Sequence, residues 1–382
     1  MIRRIIVLLT ALSVVLSPAA PVEASLASIP TRPLEGFAPL SPPEVTAEAW
    51  LLWDDTFDRE LASLNPDQAR PMASTTKMMT ALVALESADL DDEVVVSPSA
   101  AAVGESEIDL VPGETWRLED LLRALLMRSA NDAALAIAEH VAGSEAGFVR
   151  MMNDLATEIG LENSHFMNPH GLDAEGHFAS ARDLLNIAIS GMENPVFADI
   201  VGTRSSTFPD EPNGEERVAV TTNALLSTFE GALGIKTGFT NGAGLTIVSA
   251  AERDGRRLYA VVMGSTDHFA DASALLRYGF SAFGLFNVVA KGQIVASQRG
   301  PSGTTDAIAQ DDLDVFASSE DAEEIDLVIE YSEDGEPVVI VEAGEEEIGR
   351  IGLDLVEPAP LPGIGDAFAW ASAYWDWLWG ND

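Results

Sequence analysis

Ser74 and Lys77 stand three positions apart in Ser74-Thr75-Thr76-Lys77, a spacing that puts two side chains on one face of a helix. A serine hydroxyl attacks a carbonyl only when a base takes its proton. A lysine is that base only when burial or a second cation destabilises its ammonium. The apolar residues after Lys77, beginning Met78-Met79, would bury it, and a helix start would aim backbone N–H groups at a developing oxyanion. An isolated Ser-x-x-Lys is more often a surface pair, so the chemistry needs further groups. Ser129-Ala130-Asn131 offers a hydroxyl to relay a proton and an amide to hold a peptide group; an ordinary turn between helices would read the same way. Lys236-Thr237-Gly238, leading into Phe239-Thr240, offers a cation, a hydroxyl and a residue without a side chain. That set suits a strand edge receiving an extended peptide that ends in a carboxylate.

Elements that could position these groups are legible around them. Ala49-Trp50-Leu51-Leu52-Trp53, stopped by Asp54-Asp55, predicts a strand. Ser74 to Leu82 predicts a buried helix. Leu118, Leu121, Leu122, Leu125 and Leu126, and likewise Phe148, Met151, Met152, Leu155 and Ile159, fall at helical spacing and read as core stripes. Ser180 followed by Asp183 predicts a capped helix start. Two strand-like runs, Gly244 to Ala251 and Leu258 to Gly264, flank Glu252-Arg253-Asp254-Gly255, an Asp-Gly hairpin signal. Strands before and after a helix-rich middle predict an α/β catalytic domain with an inserted helical lobe, over residues 45–286.

Taken in order, Ser74-Thr75-Thr76-Lys77, Ser129-Ala130-Asn131 and Lys236-Thr237-Gly238 resemble the three motifs of serine penicillin-recognising enzymes. The wider context is similar to the low-molecular-weight D-alanyl-D-alanine carboxypeptidases, peptidase family S11. Ser129 to Ala134 reads SANDAA, Asn168 to Leu172 reads NPHGL and Gly234 to Thr240 reads GIKTGFT. Two of the chain's three lysines, Lys77 and Lys236 but not Lys291, fall in these motifs. The resemblance implies that Ser74 attacks the carbonyl between the terminal D-alanines of a peptidoglycan stem peptide and that Lys77 accepts its proton. It implies that Ser129 passes a proton to the leaving D-alanine and that Asn131 holds the substrate backbone. Lys236 and Thr237 would hold the terminal carboxylate, Gly238 would belong to the same substrate-binding edge, and the N–H groups of Ser74 and Phe239 would form the oxyanion hole. β-Lactam antibiotics are implied as covalent inhibitors, and no cofactor is implied. The family commonly carries a basic residue after the strand that here ends in Gly264; Ser265-Thr266-Asp267-His268-Phe269-Ala270-Asp271 stands there instead, with His268 a weak substitute. A β-lactamase-like hydrolase would share the three motifs, but no separate glutamate motif for fast deacylation stands out. A catalytically silent wall-binding protein of the same fold is the other alternative.

The 382-residue chain has no cysteine, which excludes disulfides, a thiolate nucleophile and Cys-ligated zinc. His165, His170 and His177 lack the i,i+4 spacing of a zinc peptidase, so no metal is expected. With 21 Lys+Arg against 62 Asp+Glu the net charge is -41, which argues against nucleic acid as a partner. The near absence of lysine beside so many carboxylates fits solubility in concentrated salt or a biased genome. Residues 1–24, with Arg3-Arg4 ahead of an apolar run and small residues up to Ala24, read as a secretory signal, so the protein is expected in the cell envelope. An uncleaved anchor is the alternative reading of that segment. Residues 287–357 hold β-branched runs around Glu333-Asp334-Gly335 and predict a small acidic all-β domain. Residues 363–382 place Phe368, Trp375 and Trp379 on one face of an amphipathic helix, which would lie at a membrane interface or pack onto protein.

Overall fold

The computed structural model describes residues 40–208, 217–300, 303–318, 325–332, 334–344 and 346–356. The expected signal at 1–24 and the aromatic helix at 363–382 lie outside these residues. The chain divides into two units, one of them Pro42–Ser281.

That unit contains strands β1 (Ala49–Asp54), β2 (Arg59–Leu64), β3 (Glu93–Val95), β4 (Thr115–Arg117), β5 (Ser205–Thr207), β6 (Val218–Val220), β7 (Ala232–Thr240), β8 (Gly244–Arg253) and β9 (Arg256–Ser265). Its helices are α1 (Lys77–Ser87), α2 (Leu118–Arg123), α3 (Asn131–Ala142), α4 (Glu145–Glu158), α5 (Ala181–Glu193), α6 (Pro195–Gly202), α7 (Leu225–Thr228) and α8 (His268–Ala282). The main sheet is antiparallel in the order β2-β1-β9-β8-β7, which makes β7 an edge strand. Successive side chains on a strand face opposite ways, and both faces of this sheet are covered. Leu51, Val248 and Val261 join the core formed with α1, α3, α4 and α5, whereas Leu52, Ile247 and Val262 pack with Leu275 and Leu276 of α8. Two-sided burial is why β1 and β9 read as continuous apolar runs. Each such leucine or valine contributes roughly 1.5–3 kcal/mol by leaving water.

Local signals in the sequence are realised with two differences. Asp254 and Gly255 both have positive φ, 51° and 79°, and close the β8–β9 hairpin. The Ser180 hydroxyl caps α5 by accepting from Asp183 N at 3.0 Å, but Asp183 does not complete the reciprocal box. Its carboxylate is taken by Asn163 N and Ser164 Oγ, each at 2.7 Å. The leucine-rich segment does not stay α-helical either: α2 passes at Ala124–Arg128 into a single π turn, in which the Ser129 N–H reaches back to the Ala124 carbonyl.

The second unit, described by itself, is made of strands among the described residues: β10 (Phe283–Val289), β11 (Ile294–Gly300), β12 (Gly303–Ala309), β13 (Leu313–Ser318), β14 (Ile325–Tyr331), β15 (Pro337–Ala343) and β16 (Glu346–Val356). Its five-stranded sheet runs β11-β12-β16-β15-β14, with β10 pairing β13. Val289, Val315, Val339, Val341 and Leu353 are buried in its core. β10 begins at Phe283, a few residues before the expected start at 287.

Candidate active site

Ser74 sits in a 3₁₀ turn, Ala73–Thr76, and not in the α-helix that the sequence predicts around it. Lys77 opens α1. In a 3₁₀ turn residues three apart eclipse, so the tighter turn brings the pair together more closely than an α-helix would, with Lys77 Nζ 3.0 Å from Ser74 Oγ. The turn is tied down by Thr75 Oγ1 donating to the Met72 carbonyl at 2.6 Å and Thr76 Oγ1 donating to the Ala73 carbonyl at 2.8 Å. His177 reinforces it. Its Nδ1 accepts from Met167 N at 3.0 Å, so its proton lies on Nε2, which donates to Thr76 Oγ1 at 2.8 Å.

Lys77 is fully buried and meets two further acceptors, Asn131 Oδ1 at 2.7 Å and the His170 carbonyl. A neutral amine has two hydrogens and one lone pair. If the hydrogens go to those fixed acceptors, the lone pair is left facing the Ser74 hydroxyl. Burial first, and then the charge of Lys236, hold the Lys77 amine well below the ordinary lysine range, while Asp132 and Glu105 pull the other way. Lys236 is 1% exposed, and burial pushes it down to about 7; its Nζ donates to the Thr237 carbonyl at 2.9 Å.

Three segments hold the site from behind. The NPHGL turn is fastened by Asn168, whose Oδ1 accepts from Gly171 N at 2.6 Å and whose Nδ2 donates to the Leu172 carbonyl at 2.9 Å. Thr80 Oγ1 of α1 donates to the Pro169 carbonyl at 2.6 Å. Gly171 has φ +90°, and a Cβ there would lie 2.1 Å from the Ala73 carbonyl oxygen, so only glycine lets this turn back the serine turn. On the other side, Ser129 follows the π turn with φ 65°, a left-handed conformation that costs a serine roughly 1–3 kcal/mol. Ser129 Oγ is buried without a hydrogen-bond partner among the described residues. Asn131 is pinned by its Nδ2 donating to the Gly104 carbonyl at 3.0 Å and its N–H to the Ser106 carbonyl. The next residue, Asp132, buries its carboxylate against the N–H groups of Ile108 and Leu110, and that burial raises its pKa.

The third segment is β7. A Cβ on Gly238 would lie 2.9 Å from Ser74 N and 3.0 Å from Ala73 Cβ, so its missing side chain is what lets this edge strand run beside the serine. The Phe239 ring is exposed, which leaves its backbone N–H as the group it can offer. Thr237 is nearly buried, and its Oγ1 lies 2.7 Å from Thr222 Oγ1. Ser74, Lys77, Asn131, Lys236 and Gly238 are therefore brought to one place. The sequence reading missed the His170 carbonyl, Gly171, Asp132, His177 and Thr222 as parts of the site. Only the NPHGL turn carried a signal, its Asn-Pro and His-Gly pairs.

After Gly264 the segment Ser265 to Asp271 carries no lysine or arginine. The Asp271 carboxylate instead accepts from Thr46 N at 3.1 Å, Thr46 Oγ1 at 2.7 Å and Ser265 Oγ at 2.6 Å, fastening the start of the unit to α8. His268 is buried, and burial holds its pKa below the ordinary histidine value, so it is neutral at pH 7. His170 and His177, each lowered by burial to about 4, are neutral too. No metal-holding group of three side chains occurs among the described residues.

A serine whose hydroxyl faces a buried lysine with a destabilised ammonium, on a sheet-and-helix scaffold with a lysine-bearing edge strand, defines a serine acyl-transfer enzyme of the penicillin-recognising class. The chain belongs to the peptidase S11 family, the D-alanyl-D-alanine carboxypeptidases, whose family model matches residues 37–267. It is 35% identical over 335 residues to the D-alanyl-D-alanine carboxypeptidase DacD of Salmonella typhimurium, covering 83% of this chain and 84% of that one. It is 36% identical over 247 residues to the D-alanyl-D-alanine carboxypeptidase DacB2 of Mycobacterium tuberculosis, covering 63% of this chain and 84% of that one. Among solved structures, penicillin binding protein 5 of Haemophilus influenzae superposes with a TM-score of 0.63 at 27% identity, covering 84% of this chain and 100% of that one.

Proposed function

We propose that this chain removes the terminal D-alanine from peptidoglycan stem peptides through an acyl-enzyme on Ser74, and that β-lactams acylate the same oxygen. The observation that carries this is the Lys77 amine held between Ser74 Oγ, Asn131 Oδ1 and the His170 carbonyl. Lys77 takes the hydroxyl proton as Ser74 Oγ bonds to the carbonyl carbon. The oxyanion forms against the N–H groups of Ser74 and Phe239, which is where fixed donors lower a barrier most. The C–N bond then breaks, and the proton reaches the departing amine through Ser129, whose buried Oγ has no hydrogen-bond partner among the described residues. Lys236 and Thr237 hold the terminal carboxylate, and Asn131 steadies the substrate backbone. Water releases the shortened peptide.

The chemistry is tested by incubating the protein with a labelled penicillin, mapping the adduct, and measuring D-alanine release from a D-Ala-D-Ala peptide. An adduct on Ser74, lost together with hydrolysis in Ser74→Ala, is expected. Label on another residue, or rapid β-lactam turnover with no D-alanine release, would overturn the assignment.

Membership of the family supports a location in the cell envelope, and the patterns at 1–24 and 363–382 support export and attachment of an aromatic helix to the membrane surface. No helix among the described residues is long and apolar enough to cross a membrane. Binding to vesicles with and without residues 363–382 tests the attachment; equal binding would remove it.

A further inference from the structure

Thr222 is an exposed residue whose hydroxyl is turned onto the nearly buried Thr237, with 2.7 Å between the two Oγ1 atoms. Its backbone is fixed on both sides. The Thr222 N–H donates to the Met127 carbonyl at 3.0 Å, inside the π turn that leads to Ser129. Asn223 N donates to Thr221 Oγ1 at 3.2 Å, and Asn223 Oδ1 accepts from Leu225 N at 3.1 Å. The turn thus joins the segment carrying Ser129 to the edge strand carrying Lys236 and Thr237.

Two facing hydroxyls share one hydrogen along their line, and either can give it. A carboxylate only accepts. Once one is bound, Thr237 can serve it only by spending its own hydrogen there, and its oxygen must then be satisfied from behind. Thr222 is the group on that line.

We propose that Thr222 is a positioning residue for carboxylate recognition: it donates to Thr237 Oγ1 and so commits the Thr237 hydrogen to the terminal carboxylate of the substrate. The inference rests on the reading that Lys236 and Thr237 hold that carboxylate. Bonds in such a chain strengthen one another, so the contribution of Thr222 appears only with ligands that bear the carboxylate.

The test measures steady-state hydrolysis of a D-Ala-D-Ala peptide, and inhibition by a peptide boronic acid that reaches Ser74 but lacks the carboxylate. For Thr222→Val, KM is expected to rise about tenfold while kcat changes less than about twofold, as loss of one charge-oriented hydrogen bond dictates. Thr222→Ser should behave as the parent, and boronate inhibition should be unchanged in both. In a Thr237→Val background, Thr222→Val should add less than about twofold, because the two act through one bond. Equal weakening of the boronate, or additive losses, would overturn the proposal by showing a merely structural role. A silent Thr222→Val beside an impaired Thr237→Val would overturn it and leave the carboxylate reading standing. A Thr237→Val enzyme with the parent KM would overturn both.

Discussion

Asn131 Oδ1 lies 2.7 Å from Lys77 Nζ, and this contact makes the amide of one motif an acceptor for the amine of another. A neutral amide oxygen orders the amine without charging it. In Asn131→Asp the acceptor becomes an anion at the same place, and an opposite charge this close raises a pKa by about 1–3 units. The acid limb of kcat/KM should move to higher pH by that amount, lowering acylation about ten- to a thousandfold at pH values below the parent's acid limb. A pH profile of penicillin acylation checks this, and an unmoved acid limb would show that Asn131 does not tune the base.

In the proposed mechanism Lys77 works deprotonated and Lys236 works protonated, so the two amines should set opposite limbs. Burial takes Lys236 down from 10.5 to about 7. As pH rises through about 7 the free enzyme loses the ammonium that recognises a carboxylate, and kcat/KM falls. Once bound, the carboxylate pulls the Lys236 pKa back up, so kcat persists to higher pH than kcat/KM does. Lys236→Arg, which stays charged, should flatten the basic limb of kcat/KM. An unchanged limb in that variant would assign it to another group.

Gly238→Ala separates geometry from folding. The strand conformation there is ordinary, but the added methyl meets Ser74 N at 2.9 Å and Ala73 Cβ at 3.0 Å. Overpacking costs about 1–3 kcal/mol of stability, whereas displacing the nucleophile by about 1 Å costs on the order of a hundredfold in rate. A folded protein with acylation slowed on that scale is expected from melting curves and stopped-flow labelling. Gly171→Ala, with a left-handed backbone and the Ala73 carbonyl 2.1 Å away, should lose stability as well as activity.

The surplus of carboxylates should make stability depend on salt. With 62 acidic against 21 basic residues, self-repulsion opposes the compact state, and raising ionic strength from about 0.1 M to 1 M shortens the screening length from about 10 Å to 3 Å. The melting temperature is expected to rise across that range and activity to survive at molar salt. A maximum in dilute buffer would show that the acidity serves something else.

The strands and most helix stripes could be read because each rests on a local period: the apolar run of β1, the leucines of α2 and the Asp254-Gly255 turn. The three motifs pointed to Ser74, Lys77, Ser129, Asn131, Lys236, Thr237 and Gly238 through their residue types and their resemblance to a family, and folding brings Ser74, Lys77, Asn131, Lys236 and Gly238 to one place. Partners that act through the backbone could not be read so. The His170 and Gly104 carbonyls belong to residues whose side chains say nothing of the amine or amide they meet, and Thr222 is one threonine among many until folding sets it against Thr237. The 3₁₀ turn at Ser74 was hidden because its residues suit an α-helix equally well.

The π turn at Ala124–Arg128 holds one residue more than a regular helix would need to span the same distance. Shortening that stretch by a single alanine or leucine would let the backbone relax into an ordinary spiral over the same span, and the Ser129 N–H would lose its long reach to the Ala124 carbonyl. The left-handed corner that presents the Ser129 hydroxyl would go with it. The more regular chain would be sturdier and inert, so the irregularity is a standing tax on the fold that keeps the enzyme an enzyme.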